Sequence, residues 1–170
     1  MPTIVRQAVS GDEAIVSAIL IEAATWLIAR DMSLWQPREL EAHSIAADVA
    51  AGLYYLAECD GEPAGTLRFQ MTDPLFWPDV PQNEAVYVHR LAVRRRFSGG
   101  VVSGPFLDWS AAFGMSLGRA FVRLDCDAAR PRLRSLYERN VFQYHSDRQV
   151  GTYLVARYER PIPANVADAL

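Results

Sequence analysis

The chain has 170 residues, of which 51% are apolar and 22% charged, and its formal net charge at neutral pH is −3. This length fits one folded domain with a hydrophobic core, and the composition argues against a disordered protein. The two cysteines lie far apart without a Cys-x-x-Cys pair, which argues against a disulfide framework or a zinc site, so we predict no metal ligand.

No stretch reaches the roughly 18 apolar residues of a membrane span, and the N-terminus lacks a signal-peptide pattern, so we expect a cytoplasmic protein with no membrane partner. All basic residues are arginines, and residues 1–89 contain 4 of them against 13 acidic residues. Residues 90–170 contain 13 against 7. This basic half would attract an anionic ligand, unless the arginines are only solvated surface. We expect no nucleic-acid partner because the whole chain is acidic.

The first half of the chain shows apolar periodicities of both strand and helix type. These predict a strand at 3–9, a helix at 12–30, a helix at 38–51 closed by Gly52, a strand at 53–59, a turn at 60–63 and a strand at 64–71. A proline-rich loop with two large aromatics, DPLFWPDVPQN, follows. This half therefore predicts two helices and three strands.

The second half starts with AVYVHRLAV, an apolar and β-branched run that predicts a central strand at 85–93. The later elements are a helix at 103–117, a strand at 120–126, a helix at 131–140, and strands at 142–145 and 149–159. The order β-α-α-β-β-β-α-β-α-β-β predicts a mixed α/β (α+β) fold with one layered sheet. We expect a single domain at 1–160 and a tail at 161–170.

The stretch RRRFSGGVVSGPFLDW (94–109) joins the central strand to the next helix through a turn that contains glycines. The first N–H groups of a helix have no intrahelical acceptor, and glycines let an anion approach the backbone, so such a turn can bind phosphate. Spacing alone makes this a weak signal, since neither GxGxxG nor GxxxxGK[ST] is present.

Together with its flanks, this stretch resembles the GNAT superfamily of N-acetyltransferases. LAVRRRF (91–97) and SGGVVSGPFLDW (98–109) resemble the family's fourth strand, pyrophosphate loop and following helix. VRLDC (122–126) and LRSLYERNVF (133–142) resemble its fifth strand and its tyrosine-containing ending. The loop is degenerate, because the family pattern [Q/R]-x-x-G-x-[G/A] meets Ser98, Val101 and Ser103 at its three signature positions. The resemblance covers nearly the whole chain and implies a GNAT-like fold.

The resemblance implies acetyl-coenzyme A (acetyl-CoA) as the cofactor and a primary amine of a small molecule or peptide as the acceptor, with direct transfer between them. It places the pyrophosphate on the amides of Gly99, Val101, Ser103 and Gly104. The full set of implied cofactor contacts is Leu91, Ala92, Val93, Arg94, Arg95, Arg96, Ser98, Gly99, Gly100, Val101, Val102, Ser103, Gly104 and Arg130. Many family members dimerise, so the resemblance also allows a homodimer.

Three residues are candidates for proton transfer. Tyr137 occupies the position of the family's general acid, where a phenol can protonate the departing thiolate. Glu84 and His89 are the nearest candidates for the base, and the ordinary pKa of histidine suits a base near neutrality. The alternatives are that Tyr137 is a core aromatic, that His89 is structural and that Glu84 only faces solvent.

Aromatic and acidic residues predict an acceptor pocket that favours a cationic amine. These residues are Trp26, Trp35, Asp73, Phe76 and Trp77, with Asp31 and Asp79 as further sources of negative charge. Hydrophobic packing would explain the same aromatics without a substrate. The alternative function is a catalytically silent GNAT-like binding or regulatory domain whose CoA site is weakened or lost.

Overall fold

The computed structural model describes residues 2–164, and its helices and strands follow the predicted order. The strands are β1 (Thr3–Gln7), β2 (Tyr54–Cys59), β3 (Glu62–Gln70), β4 (Ala85–Val93), β5 (Phe121–Asp127), β6 (Gln143–Val150) and β7 (Tyr153–Pro161). The helices are α1 (Glu13–Ile28), α2 (Ala42–Ala50), α3 (Ser103–Ser116) and α4 (Pro131–Arg139). The predicted mixed α/β fold is therefore confirmed.

The seven strands form one mixed sheet in the order β1-β2-β3-β4-β5-β7-β6. Most pairs are antiparallel, but β4 and β5 are parallel in a register that covers Ala85–Tyr87 and 121–123. Both strands continue beyond this register, to Val93 and Asp127. Within β4, Arg90 has a φ of 51°. Because this conformation is rare in a strand, it marks an irregularity in the middle of β4.

Contacts between Cα atoms divide the chain into two compact units. The first unit contains Met1–Arg68 and Arg90–Phe106, and the second contains Phe69–His89 and Leu107–Leu170. The single domain expected at 1–160 stays a prediction.

Each unit has its own hydrophobic core. In the first unit, α1 and α2 bury one apolar face together with residues of β2, and Ile19, Ile45 and Leu56 are at most 1% exposed. In the second unit, Trp77 is completely buried in a cluster with Ala85 and Tyr87. The proline-rich loop after β3 is therefore anchored to β4 by an aromatic side chain.

Two predicted boundaries are wrong. The helix expected at 38–51 is a short 3-10 helix at Pro37–Glu39 followed by α2, which begins only at Ala42. The strand expected at 149–159 contains a turn, because Gly151 has a φ of 58° and β6 and β7 pair on either side of it, with Val150 opposite Tyr153. The exposed strand β6 is mostly polar and lacks an apolar pattern that could have located the turn.

The end of the chain also differs from the expectation, since β7 extends to Pro161 and Ile162 is buried. The rest of the predicted tail, residues 165–170, lies outside the described residues. Among the helices at 2–164, none has the length and apolar character needed to cross a membrane.

Candidate active site

Three ionisable side chains of the second unit meet where β4 and β5 pass the end of their parallel register. His89 lies on β4, Asp125 on β5, and Asp73 in the loop after β3. Nε2 of His89 is 2.8 Å from Oδ2 of Asp73, and Nδ1 is 3.8 Å from Oδ2 of Asp125. The other oxygen of Asp73 accepts the backbone N–H of Phe76 at 3.0 Å, which holds this carboxylate in place. We call this group the Asp-His-Asp cluster.

The cluster is buried and short of hydrogen-bond donors. The side chains of Asp73, His89 and Asp125 are only 6%, 17% and 11% exposed. Neither Oδ2 atom accepts a well-aligned hydrogen bond from the described residues, so the contact between His89 and Asp73 is an ion-pair contact. Burial raises the pKa of Asp125 to about 6; His89 opposes this shift and the charge of Asp73 adds to it. The cluster therefore contains one buried carboxylate, that of Asp125, which takes up a proton close to neutrality.

These residue types also bind divalent cations, and one ligand atom from each lies within 4.8 Å of the others. The expectation that the chain has no metal ligand stays a prediction.

Glu84 lies at the start of β4 and is engaged in an ion pair. Its carboxylate accepts a hydrogen bond from Arg123, whose side chain is only 3% exposed and also pairs with Glu159. The alternative that Glu84 only faces solvent is therefore wrong. A catalytic role for Glu84 stays a prediction, but this carboxylate already balances a buried guanidinium.

Tyr137 lies on α4 and is buried, with its ring against those of Phe142 and Tyr158. Burial raises its pKa well above the usual range, so the phenol keeps its proton at neutral pH. The aromatic contacts agree with the core-aromatic alternative, whereas the retained proton is what a general acid needs. Burial also raises the pKa of Cys126 on β5 to about 12, so this thiol is not a nucleophilic thiolate at neutral pH.

The glycine-containing turn of the first unit leads directly into α3. Gly99 and Gly100 have φ values of 105° and 92°, and an added Cβ at either position would meet nothing within 4 Å. Val101 is exposed and is not among the described residues with positive φ. The left-handed conformations of this turn thus fall on its two glycines, and the side of the turn next to them is open.

One predicted donor of this turn is already used, because the amide of Gly104 donates to the carbonyl of Gly100. The expectation that this amide binds pyrophosphate is therefore wrong for the described conformation. Pro105 has no N–H, and helix geometry leaves the amides of Val101, Val102 and Ser103 without intrahelical acceptors.

The arginines before the turn have internal partners. Glu22 of α1 binds the guanidinium of Arg94 at 3.0 Å and the backbone N–H of Arg95 at 2.8 Å. The guanidinium of Arg95 lies 4.0 Å from the centre of the Trp26 ring, and Arg96 pairs with Glu62 at the surface. The end of β4 is thus fixed to α1 by a carboxylate that the sequence did not single out.

The predicted acceptor-pocket residues fall in different places. Trp26 and Trp35 belong to the first unit, where Trp26 also contacts Arg30 and Trp35 packs against the core. In the second unit, the ring of Phe76 lies 5.9 Å from that of His89, and Asp73 contacts the same histidine.

Trp77 cannot line an open pocket, because it is 0% exposed and lies against Tyr87, Arg123 and Arg157. The prediction that Trp77 binds substrate is therefore wrong, and its role is packing. Asp79 does not supply free negative charge either, since Arg157 binds both of its oxygens.

The remaining predicted cofactor residues lie on β4, in the turn and before α4. Ala92 and Val102 are buried, Ser98 is exposed, and Arg130 directly precedes α4. Leu91 and Val93 are half-buried on β4. The sequence did not predict Asp125; its only signal was a carboxylate inside the apolar strand VRLDC.

No protein-family model matches this chain. Among curated proteins, it is 28% identical over 163 residues to the uncharacterized N-acetyltransferase YesJ of Bacillus subtilis (strain 168), covering 92% of this chain and 89% of YesJ. Among solved structures, a GNAT-family acetyltransferase from Listeria monocytogenes matches with a TM-score of 0.77 and 26% identity over 94% of each chain. The chain is thus similar in sequence and in fold to N-acetyltransferases of the GNAT superfamily, which supports the resemblance seen in its sequence.

Both relatives are named acetyltransferases, which supports acetyl transfer as the class of reaction. The fold is shared with more distant members. The PaiA N-acetyltransferase of Thermoplasma acidophilum, solved in complex with coenzyme A, matches with a TM-score of 0.71 and 12% identity over 92% of this chain and 98% of PaiA.

Proposed function

We propose that this enzyme transfers the acetyl group of acetyl-CoA directly to a primary amine of a small molecule or peptide. The observation that carries the proposal is the turn before α3, where Gly99 and Gly100 adopt left-handed conformations beside open space. Such a turn at the N-terminus of a 14-residue helix presents backbone N–H groups and a positive dipole end to an anion.

The described residues fit the pyrophosphate of the cofactor. The amides of Val101, Val102 and Ser103 are the donors, and the absence of side chains at Gly99 and Gly100 leaves room for a bulky anion. The exposed Arg95, whose guanidinium lies over the ring of Trp26, adds positive charge next to the turn. Because Val101 does not need a positive φ, its β-branched side chain does not strain the turn, which supports a functional loop despite its departure from the family pattern.

The residues that we propose for the proton transfers all belong to the second unit. Acetyl-CoA, when bound, supplies an activated thioester. His89 serves as the base that accepts the proton of the amine, while Asp73 orients its ring through Nε2. Tyr137 donates the proton of its phenol to the departing sulfur. The protonated thiol of Cys126 favours direct transfer over a covalent acetyl-cysteine.

The first experiment is calorimetric titration of the purified protein with acetyl-CoA, followed by thiol release with a panel of primary amines. We expect micromolar binding, which the Val101→Glu variant abolishes because it places a negative charge in the turn. Tyr137→Phe should bind acetyl-CoA normally but reduce kcat about 100-fold or more, the usual contribution of a general acid.

The control is Tyr144→Phe, which removes the same hydroxyl from an exposed position on β6 and should leave kcat unchanged. No heat and no thermal shift with millimolar acetyl-CoA would refute the proposal and leave a GNAT-like domain without transferase activity. Normal kcat in Tyr137→Phe would refute only the assignment of the acid.

A further inference from the structure

In the Asp-His-Asp cluster, Nδ1 of His89 lies 3.8 Å from Oδ2 of Asp125, a buried oxygen that has no hydrogen-bond donor among the described residues. When neutral His89 carries its proton on Nε2, which lies 2.8 Å from Oδ2 of Asp73, the lone pair of the ring is on Nδ1, 3.8 Å from Oδ2 of Asp125. This distance is too long for a hydrogen bond, and Oδ2 accepts none from the described residues. A single bound group could donate to both atoms only if it carried at least two hydrogens.

We propose that the ammonium group of the acceptor donates to Oδ2 of Asp125 and Nδ1 of His89 together, so that Asp125 selects positively charged amines. This inference rests on the proposed function and adds a specificity-determining residue to it. A nitrogen about 2.9 Å from both atoms satisfies ordinary hydrogen-bond distances, since half of their separation is only about 1.9 Å.

The electrostatics of the cluster favour a cation. The groups that face Asp125 are His89, Asp73 and Arg157, with Cys126 and Tyr137 close by. Arg157 is neutralised by Asp79, which it binds at 2.6 and 2.9 Å. Cys126 and Tyr137 keep their protons and stay uncharged. Among the described residues, the two carboxylates of the cluster therefore have no permanent positive partner.

The same geometry moves the proton. An alkylamine resembles the lysine side chain, with an ordinary pKa of about 10.4, so it arrives protonated at neutral pH. As an N–H bond of the ammonium breaks, an Nδ1–H bond forms on His89, and the freed electron pair of the nitrogen becomes the nucleophile. Asp73 and Asp125 then flank the resulting imidazolium with two negative charges.

The ring of Phe76 beside His89 suggests an aromatic probe. We would titrate the protein with benzylammonium and with benzyl alcohol, a neutral compound of almost the same shape, with and without saturating coenzyme A. Wild-type protein should bind the cation at least about 10-fold more tightly than the alcohol. Asp125→Asn should abolish this preference without changing the affinity for the alcohol, and Asp60→Asn, which removes an exposed carboxylate elsewhere, should preserve it.

A second measurement does not depend on any variant. Because Asp125 loses its charge below about pH 6, the affinity of wild-type protein for benzylammonium should fall between pH 7 and pH 5, whereas the affinity for benzyl alcohol should not change. Equal affinities for cation and alcohol in the wild type, or a preference that survives in Asp125→Asn, would overturn the inference. Stoichiometric binding of Zn²⁺ or Mn²⁺ that Asp125→Asn abolishes would also overturn it and show a metal site.

The two proposals fail in different ways. If acetyl-CoA does not bind, the proposed function fails whatever benzylammonium does. If acetyl-CoA binds and thiol is released with an amine, but the preference for the cation is absent, only the role of Asp125 is refuted.

Discussion

Val141 has a backbone conformation that suits glycine, so replacing it with glycine should stabilise the protein. It follows the last turn of α4 with a φ of 68°. Its amide donates to the carbonyl of Glu138, and the amide of Phe142 donates to that of Tyr137, which is the Schellman pattern of a helix end. The position in this pattern that requires a left-handed residue is occupied here by a β-branched one.

The expected gain follows from two opposing contributions. A left-handed conformation costs an L-residue about 1–2 kcal/mol, and Val141→Gly removes this cost. Glycine loses more conformational freedom on folding, which costs about 0.5–1 kcal/mol. The net stabilisation is then about 0.5–1 kcal/mol, or an increase in Tm of about 2 °C, since about 1 kcal/mol corresponds to about 2–4 °C at this chain length.

Val101→Gly is a matched control for this measurement. Val101 is 59% exposed and Val141 63%, so both variants remove similar contacts, but Val101 is not among the described residues with positive φ. Val101→Gly should therefore lose stability through the greater conformational entropy of glycine in the unfolded chain, without gaining stability from the relief of strain. Urea denaturation should separate the two variants by about 1–2 kcal/mol, with Val141→Gly the more stable. Equal free energies of unfolding would show that Val141 is not strained.

Two further predictions concern packing and charge. Gly65→Ala should destabilise the protein by about 1–3 kcal/mol in urea denaturation, because the added Cβ would lie 3.0 Å from the carbonyl oxygen of Ala92 and 3.3 Å from Val102. Unchanged stability would show that the backbone of β4 shifts at little cost to accommodate the methyl group. The raised pKa of Asp125, from 3.8 to about 6, means that the folded state holds this proton more tightly than the unfolded state. Wild-type stability should therefore fall by about 3 kcal/mol as the pH rises from 4 to 7, at 1.36 kcal/mol per pKa unit. Asp125→Asn should lack this decline when the free energy of unfolding is measured across the same range, and an identical profile in the variant would assign the decline to other groups.

The sequence predicts elements well where packing imposes a pattern. β4 was predicted with its observed bounds, because a run of β-branched and apolar residues is typical of a buried central strand. The boundary between β6 and β7 was predicted at the wrong place. Because β6 is mostly exposed, its residues QYHSDRQV do not alternate between apolar and polar side chains. The start of α2 was missed for a related reason, as Pro37 begins a short 3-10 helix that has no apolar face of its own.

The candidate site was predicted less completely, because its geometry depends on residues far apart in the chain. His89 was a candidate as a single histidine on a strand, and Asp73 was assigned to the substrate. Their contact depends on a loop that Trp77 fixes, and no local pattern reports where that loop returns to β4. The sequence did not predict Asp125, because a single carboxylate in an apolar strand creates no periodic pattern that could be recognised.

The turn before α3 shows why a sequence pattern and a backbone conformation give different answers. The family pattern places its first glycine at Val101, and a β-branched residue there predicts a damaged site. The structure takes its positive φ values at Gly99 and Gly100, so Val101 keeps an ordinary conformation and its amide can still bind an anion. What a phosphate turn requires is N–H groups that point outward beside open space, and glycines one and two residues before Val101 meet this requirement equally well. We therefore expect the departure from the family pattern to affect the affinity for acetyl-CoA much less than Val101→Glu does.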